Sequence, residues 1–280
     1  MTRLIIFNAD DLGMNSQRSH GIFQAFEFGV IRSASIICNG SDARTAARHA
    51  RERDLTCGLH LNLTDGYPVG DPAHIGSLLQ GNGEFYSRER LRTLLDEGRI
   101  DPDHLDREIR AQFEWILEYY GQPSHMDGHH HIHIHPTVLR AALPVMDRYA
   151  VTAIRIPAED PLPPFGYVIS DELLAKCNRI TAEADEARKL CAVHGLRMTQ
   201  NFRGLSFMGN ASQKNLRHIL GRLPEGATEF MTHPGSPTPI GSEFDRDPQR
   251  QTELQMLLNP EVPQILAERK ITLGTFHDLP

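Results

Sequence analysis

The sequence is poor in features that mark secreted, membrane-spanning and nucleic-acid-binding proteins. Only four of its 280 residues are cysteine, and no two form a Cys-x-x-Cys pair. This scarcity argues against a disulfide framework and predicts buried free thiols. No apolar run approaches the roughly 18 residues of a membrane span. The net charge of -7 and the isoelectric point near 6.1 argue against a nucleic-acid-binding surface.

The sequence also lacks signs of targeting and of internal division. Its first hydrophobic run, Leu4-Ile5-Ile6-Phe7, is too short for a signal peptide and soon meets acidic residues, so we expect a cytoplasmic protein. No repeat, charge run or low-complexity linker is present. One domain over residues 1–280 is therefore the simplest expectation. Association into a homo-oligomer stays open.

Histidine, by contrast, is concentrated in one place. Six of the fifteen histidines lie within eleven residues, from His125 to His135. Neutral imidazole is the commonest protein ligand for a divalent metal, and its pKa is the nearest to neutral pH. The cluster lies in mid-chain among apolar and β-branched residues, unlike an expression tag. It therefore indicates metal binding, proton transfer or both.

As an extended strand, the cluster would place alternate side chains on one face. Its odd-numbered histidines, from His125 to His135, would share that face with Asp127. Residues four positions apart would be separated by about 13 Å, at roughly 3.3 Å per residue. One metal ion cannot reach them all, so the nearest candidates are one or two of His125, His129 and His131.

Short β-branched segments alternate with helical segments along the chain. Helices are expected at 87–97, 103–120, 171–194, 212–223 and 247–268, among others. Strands are expected just before the histidine cluster and at 4–7, 33–38, 56–64, 151–156, 196–202, 228–232 and 271–276. About eight strands separated mostly by helices predict an α/β fold of the βα-barrel type. Chemistry in such barrels lies at the C-terminal ends of the strands.

Candidate functional residues follow several of these strands. Asp10 and Asp11 end the first strand, where a turn can bring two carboxylates to one site as a ligand and a base. His60 belongs to a polar strand face, and His233 follows an apolar strand as a candidate acid or base. The planar cation of Arg155, at another strand end, can orient a carboxylate. Helix capping, core hydrogen bonding and a surface salt bridge are the ordinary alternatives.

Together these segments resemble the YdjC-like carbohydrate deacetylase family, which includes chitooligosaccharide and hopanoid-associated deacetylases. The resemblance spans nearly the full length. It is carried by Asn8-Ala9-Asp10-Asp11-Leu12-Gly13, Gly58-Leu59-His60, His125-Met126-Asp127-Gly128-His129-His130-His131-Ile132-His133, Thr232-His233-Pro234 and Leu273-Gly274. Many members have Asp-Ser-His where this chain has Asp127-Gly128-His129.

The resemblance implies a distorted single-domain βα barrel that binds one divalent metal, Zn²⁺ or Mg²⁺, with Mn²⁺, Co²⁺ or Fe²⁺ also compatible. The implied ligands are Asp11, His60 and His129. Asp10 is implied as general base and His233 as general acid. The segment containing Arg155 resembles the Arg-x-Pro segment that steadies the catalytic aspartate in related polysaccharide deacetylases.

The activity implied is hydrolysis of an N-acetyl group on an N-acetylglucosamine-containing saccharide or glycolipid head group, which releases acetate. The loop 66–86 and the segment 157–170 are expected to wall the pocket. Their aromatic side chains are candidates for stacking on a sugar ring, namely Tyr67, Phe85, Phe165 and Tyr167.

Two other classes stay open from the residues alone. Metal-dependent phosphoesterases and amidohydrolases also use a His-x-His pair at barrel strand ends, which His129 and His131 could provide. They usually place that pair on the first strand and often use two metals. A non-enzymatic histidine-rich metal-storage or sensing protein would instead bind several ions within the cluster itself.

Overall fold

A curled parallel β-sheet forms the centre of the protein. The computed structural model describes residues 3–160, 168–238 and 241–280. Its strands run in the spatial order β4-β3-β2-β1-β6-β5, and β7 pairs with β1. The strands are β1 Arg3–Leu12, β2 Ser33–Ile36, β3 Thr56–Leu61, β4 Met126–Gly128, β5 Asn201–Arg203, β6 Gly226–Thr232 and β7 Ile271–Leu273.

Helices connect most of the strands, which confirms the predicted α/β class. The helices expected at 87–97, 103–120 and 171–194 are found within one or two residues of their predicted ends, as α3, α4 and α6. The α-helices are α1 Ser16–Phe28, α2 Ala43–Glu52, α3 Arg88–Asp96, α4 Pro102–Tyr119, α5 Pro136–Arg148, α6 Asp171–Val193, α7 Gln213–Leu220, α8 Glu243–Arg246, α9 Gln249–Leu258 and α10 Glu261–Glu268.

Strand β1 is held along both of its edges. One edge pairs with β6 over residues 3–9. The other edge pairs first with β7, over residues 3–5, and then with β2 between residues 8 and 12. All residues of β1 from Ile5 to Leu12 are buried. The C-terminal end of β1, which carries Asp10 and Asp11, is therefore fixed firmly in the core.

The strand predicted at 151–156 is wrong as a regular element. Only two single parallel bridges form there, between Ile154 and Met126 and between Ala153 and Arg197. Pro157 follows at once, and it has no N–H to donate to a longer ladder. These bridges still continue the sheet from β4 toward the segment that leads into β5. The predicted barrel is thus present in a distorted form.

The extended strand predicted through the histidine cluster is wrong beyond Gly128. Strand β4 ends there, and residues 129–134 form a 3₁₀ turn in which His130 and His131 have φ of 54° and 56°. Histidine is among the residues that tolerate this left-handed region. A Cβ at position 128 would lie 2.8 Å from Nδ1 of His133, so the His133 side chain packs directly against Gly128. The cluster therefore has no common face.

Two predictions from composition can be compared with the structure. All four cysteines are free and buried, which confirms the expected thiols. Within the described residues, no helix combines the length and the hydropathy needed to cross a membrane.

Candidate active site

Three strand ends bring the predicted metal ligands together. Asp11 lies near the end of β1, His60 near the end of β3, and His129 directly after β4. Oδ1 of Asp11 lies 3.3 Å from Nε2 of His60 and 3.0 Å from Nδ1 of His129. The three donor atoms lie within 4.8 Å of one another, so they could share one ion. We call this group the metal triangle.

The backbone at Asp11 explains how two adjacent carboxylates face the same cavity. Asp11 has a φ of 67°, a left-handed conformation that non-glycine residues seldom adopt. Successive side chains of a regular strand would point to opposite faces. Because the backbone at Asp11 is left-handed, the regular alternation of side chains is broken, and both Asp10 and Asp11 line one cavity. The turn expected at this strand end is therefore present.

The charges of the metal triangle favour a cation between its members. Burial raises the pKa of Asp11, but His129 and His60 outweigh burial and hold that pKa well below its ordinary range. Burial lowers the pKa of His60, yet Asp127 and Asp11 together raise it to about 10. A proton supplies the positive charge in the metal-free protein, and a divalent metal could replace it.

Asp127 orients one of these imidazoles, a role that the sequence reasoning missed. Its Oδ1 lies 2.8 Å from Nδ1 of His60, the nitrogen opposite the one facing Asp11. Ser35 donates a hydrogen bond of 2.6 Å to Oδ2 of Asp127. A carboxylate behind a metal-binding histidine fixes the tautomer and the ring orientation. His60 and Asp127 are direct register partners on β3 and β4, which only the fold reveals.

Arg155 holds the other carboxylate of the pair. Its Nη1 and Nη2 donate to the two oxygens of Asp10, each at 2.6 Å, so the contact is bidentate. Nη2 also lies 2.9 Å from Asp127, and Nε donates to Glu229 at 2.6 Å. Arg155 is fully buried, so the alternative of a surface salt bridge is wrong. We call Arg155 and its three carboxylates the arginine cage.

His233 follows β6 and lies beside the same carboxylate. Its Nε2 is 3.9 Å from Oδ2 of Asp10, beyond hydrogen-bonding distance. Its backbone N–H donates to Glu253, and its ring packs edge-on against Phe244. Burial is the main cause that holds the pKa of His233 well below its ordinary value, with Arg250 contributing. The imidazole is therefore neutral in the resting protein.

Arg18 is a further residue that the sequence reasoning missed. It lies on α1, directly after the turn that follows β1. Its Nη1 is 3.7 Å from Oδ2 of Asp11, and its Nη2 donates to Asp245 at 2.9 Å. Arg18 therefore leaves Oδ1 of Asp11 to the two imidazoles.

The remaining histidines of the cluster have separate tasks. The ring of His125 stacks on Phe276 with 3.6 Å between centroids. His133 contacts the carbonyl oxygen of Arg155 through Nε2, and His135 caps α5. Among the described residues, neither His125 nor His131 belongs to a group of three or more candidate ligands. His129 is thus the member of the cluster that meets Asp11 and His60.

The metal triangle, Asp10 and His233 open into one cavity of about 730 Å³. Much of its remaining lining comes from the segments 87–92, 176–183 and 242–245, which lie at the start of α3, within α6 and at the start of α8. The prediction that residues 66–86 and 157–170 form the walls is wrong for the part of those segments that the structure describes.

The reason lies in how the loop 66–86 packs. Glu108 of α4 accepts hydrogen bonds from the backbone N–H groups of Val69 and Gly70, which draws the loop onto α4. Phe85 is buried in the core, and Tyr67 is 60% exposed without lining the cavity. The other two candidates for sugar stacking, Phe165 and Tyr167, lie outside the described residues.

Comparisons with known proteins identify the family of this chain. The sequence model of YdjC-like proteins matches residues 4–268. The chain belongs to the YdjC-like family. It is 32% identical to a carbohydrate deacetylase of Mus musculus, over 98% of this chain and 94% of the relative. It is 28% identical to a chitooligosaccharide deacetylase of Serratia marcescens, and the match covers 100% of both chains.

A solved structure shares the fold of this YdjC-like chain. It is the crystal structure of a protein of Enterococcus faecalis described as a candidate cellobiose-phosphate cleavage protein. The two superpose with a TM-score of 0.79 at 22% identity, over 99% of this chain and 98% of the other. The predicted distorted α/β barrel is thereby confirmed at the level of the fold.

Proposed function

We propose that the protein is a metal-dependent carbohydrate N-deacetylase. Its substrate would be an N-acetylglucosamine-containing saccharide or glycolipid head group, and its products acetate and a free amino sugar. The family and the relatives named carbohydrate and chitooligosaccharide deacetylase support the reaction class. The observation that carries the proposal is the metal triangle beside an arginine-held carboxylate in one cavity.

The donor set fits a single divalent cation. Two imidazole nitrogens and one carboxylate oxygen leave coordination positions open, as catalytic sites require. A cation held by Asp11, His60 and His129 would supply Lewis acidity toward the acetamide carbonyl and charge against the developing oxyanion. In the second geometric group, Asp10 with His60 and Asp127, both carboxylates already contact the guanidinium of Arg155. That permanent cation favours one metal per chain.

Asp10 would act as the general base. Both of its oxygens accept from Arg155, yet a carboxylate offers about four lone-pair positions, so it can still accept from water. Asp10 takes a proton as the water oxygen bonds to the acetyl carbon. General bases of this kind contribute about 10²- to 10⁴-fold in rate.

His233 would deliver the proton to the leaving nitrogen. It is neutral at rest because burial holds its pKa well below the ordinary value. It must therefore first receive a proton, and Asp10 lies 3.9 Å away. A bridging water would carry the proton across this gap from Asp10 to His233, which passes it to the amine as the C–N bond breaks. The attacking water molecule thus supplies both the oxygen that bonds to the acetyl carbon and the proton that the amine receives, and the products are acetate and the amino sugar.

The test is metal content and acetate release in two alanine variants. Asp11→Ala and His129→Ala should each lose the metal and release no acetate from N-acetylated mono- and oligosaccharides. His74→Ala is a matched control, because the His74 side chain is 66% exposed on the surface. Full activity in either ligand variant, or an inactive wild type across metals and sugars, would refute the proposal.

The same measurements address the two alternative classes. A phosphoesterase or amidohydrolase with two metals predicts two ions per chain and phosphatase activity. If the protein stores metal, several ions per chain should remain bound in the His60→Ala variant. Our proposal predicts one ion in the wild type and none in His60→Ala.

A further inference from the structure

Glu229 is a buried carboxylate that the proposed chemistry leaves without a task. It lies on β6, is fully buried and does not line the cavity. Its Oε1 lies 2.6 Å from both Nε and Nη2 of Arg155. Its Oε2 has no hydrogen-bond partner in the described part of the chain.

Keeping a carboxylate in this position is costly. Burial raises the pKa of Glu229 to about 7, although Arg155 opposes the shift. An unpaired buried polar atom destabilises a fold, because no hydrogen bond offsets the loss of its hydration. Asp10 and Asp127 already supply two negative charges to Arg155. Charge balance at Arg155 therefore does not explain a third acid.

Geometry does explain it. A guanidinium is planar, and its five N–H groups form a rigid fork. Glu229 binds the side edge of that fork, through Nε and Nη2, while Asp10 binds its end, through Nη1 and Nη2. Asp127 competes for Nη2 at 2.9 Å. Without the contact to the side edge, the fork can rotate toward Asp127 and leave Asp10 with one bond.

We propose that Glu229 is a positioning residue that fixes Arg155 so that both terminal nitrogens stay aimed at Asp10. This inference rests on the proposed function, in which Asp10 accepts the proton from water. Glu229 touches neither the cavity nor the metal triangle, so it acts only through Arg155. A displacement of about 1 Å at a catalytic group can cost 10²-fold in rate.

Two substitutions separate position from charge. Glu229→Gln removes the charge but keeps an oxygen that can accept from Nε of Arg155. Glu229→Asp keeps the charge but withdraws the oxygen by one methylene. We expect kcat to fall about 10- to 100-fold in Glu229→Asp and less than about fivefold in Glu229→Gln. KM and metal content should be unchanged in both, because the loss concerns only the transition state. The reverse order of the two variants would overturn the inference.

A double-mutant cycle tests whether the effect passes through the arginine. Lysine lacks the planar fork, so in an Arg155→Lys background Glu229→Asp should lower kcat no further. An additive loss, or a loss of metal, would indicate a general structural role and overturn the inference.

A crystal structure of Glu229→Asp gives a readout besides activity. The guanidinium should keep only one contact to Asp10, whereas unchanged Arg155 geometry would overturn the inference. If the wild type releases no acetate, the proposed function fails, and this structural result still decides whether Glu229 positions Arg155.

Discussion

The metal triangle and the arginine cage begin at adjacent residues and solve the same problem differently. Each places buried carboxylate oxygen against a positive charge, with one carboxylate in the metal triangle and three in the arginine cage. In the arginine cage, the cation is the side chain of Arg155, which is always present. In the metal triangle, Asp11 faces two imidazoles, and the raised pKa of His60 supplies a proton there that a divalent metal could replace. The source of the cation thus makes one aspartate a candidate base and its neighbour a candidate ligand.

Asp127 links the two regions. One of its oxygens orients His60, and the other accepts from Ser35 and contacts Arg155. The candidate ligand His60 and the arginine that holds the candidate base Asp10 therefore share one buried carboxylate. Substitutions in the two regions should give separable losses, except at this position.

The largest difference in activity and metal content is expected between asparagine substitutions of the two adjacent aspartates. Asp10→Asn should lower acetate release about 10³-fold without changing metal content, because an amide cannot accept the proton. Asp11→Asn should instead lose the metal, and asparagine tolerates the left-handed backbone there. Steady-state kinetics and elemental analysis provide the measurements. Metal loss in Asp10→Asn would mean that the two regions are not distinct.

A weaker effect is expected where the regions meet. Asp127→Asn should reduce metal affinity about 10- to 100-fold, because the imidazole of His60 loses its orienting carboxylate. Competition with a chromophoric chelator measures this affinity. Asp147→Asn, at an exposed position of α5, is the matched control and should bind metal as the wild type does. Unchanged affinity in both variants would remove Asp127 from the site.

Metal binding should also depend on pH through His60. The pKa of His60 is raised to about 10 in the metal-free protein, so the imidazole is protonated at neutral pH. Binding must displace that proton, and affinity should rise about tenfold per pH unit from 7 to 9. Calorimetry in buffers of different ionisation enthalpy should show about one proton released per ion. Affinity independent of pH over that window would contradict a protonated His60.

The same shift predicts how the metal-free fold responds to pH. A raised pKa means that the His60 ion pair stabilises the fold fully below its ordinary value of 6.5 and stops doing so as pH rises through about 10. The melting temperature of the metal-free protein should therefore fall between pH 7 and 10, and less so in His60→Gln.

The smallest effect on activity is expected for a substitution of Gly58, which belongs to neither region. A Cβ at Gly58 would lie 2.4–2.6 Å from three ring atoms of His125. Gly58→Ala should therefore destabilise the fold by about 1–3 kcal/mol in urea unfolding, with metal content retained. Gly81→Ala is the control, because nothing lies within 4 Å of its added Cβ. Equal stability of the two variants would show that the packing around His125 is loose.

The principle that barrel chemistry gathers at strand ends located much of the site in advance. It placed Asp10, Asp11 and His233 at the ends of strands, and the structure brings all three to one cavity. The alternation of strands and helices likewise predicted the fold class. Periodicity is a local signal, so it survives without knowledge of distant contacts.

The supporting residues could not be found in this way. Asp127 and Glu229 matter because β4 and β6 bring them to His60 and Arg155, across 67 and 74 residues of sequence. A period-two analysis could not predict the histidine turn, because it depends on the left-handed backbone of His130 and His131. The position of the loop 66–86 could not be predicted either, because the buried carboxylate of Glu108 on α4 anchors it. These features depend on tertiary contacts that a local pattern does not contain.

The left-handed residue at the end of β1 has a consequence for attempts to stabilise the protein. A non-glycine residue in that conformation costs of the order of 1 kcal/mol or more. Glycine at position 11 would release this cost but would also delete the carboxylate that faces His60 and His129. The relief of backbone strain would therefore be opposed by the loss of the contacts that Asp11 makes with these two imidazoles. A substitution chosen here for stability alone therefore puts the candidate metal ligand at risk.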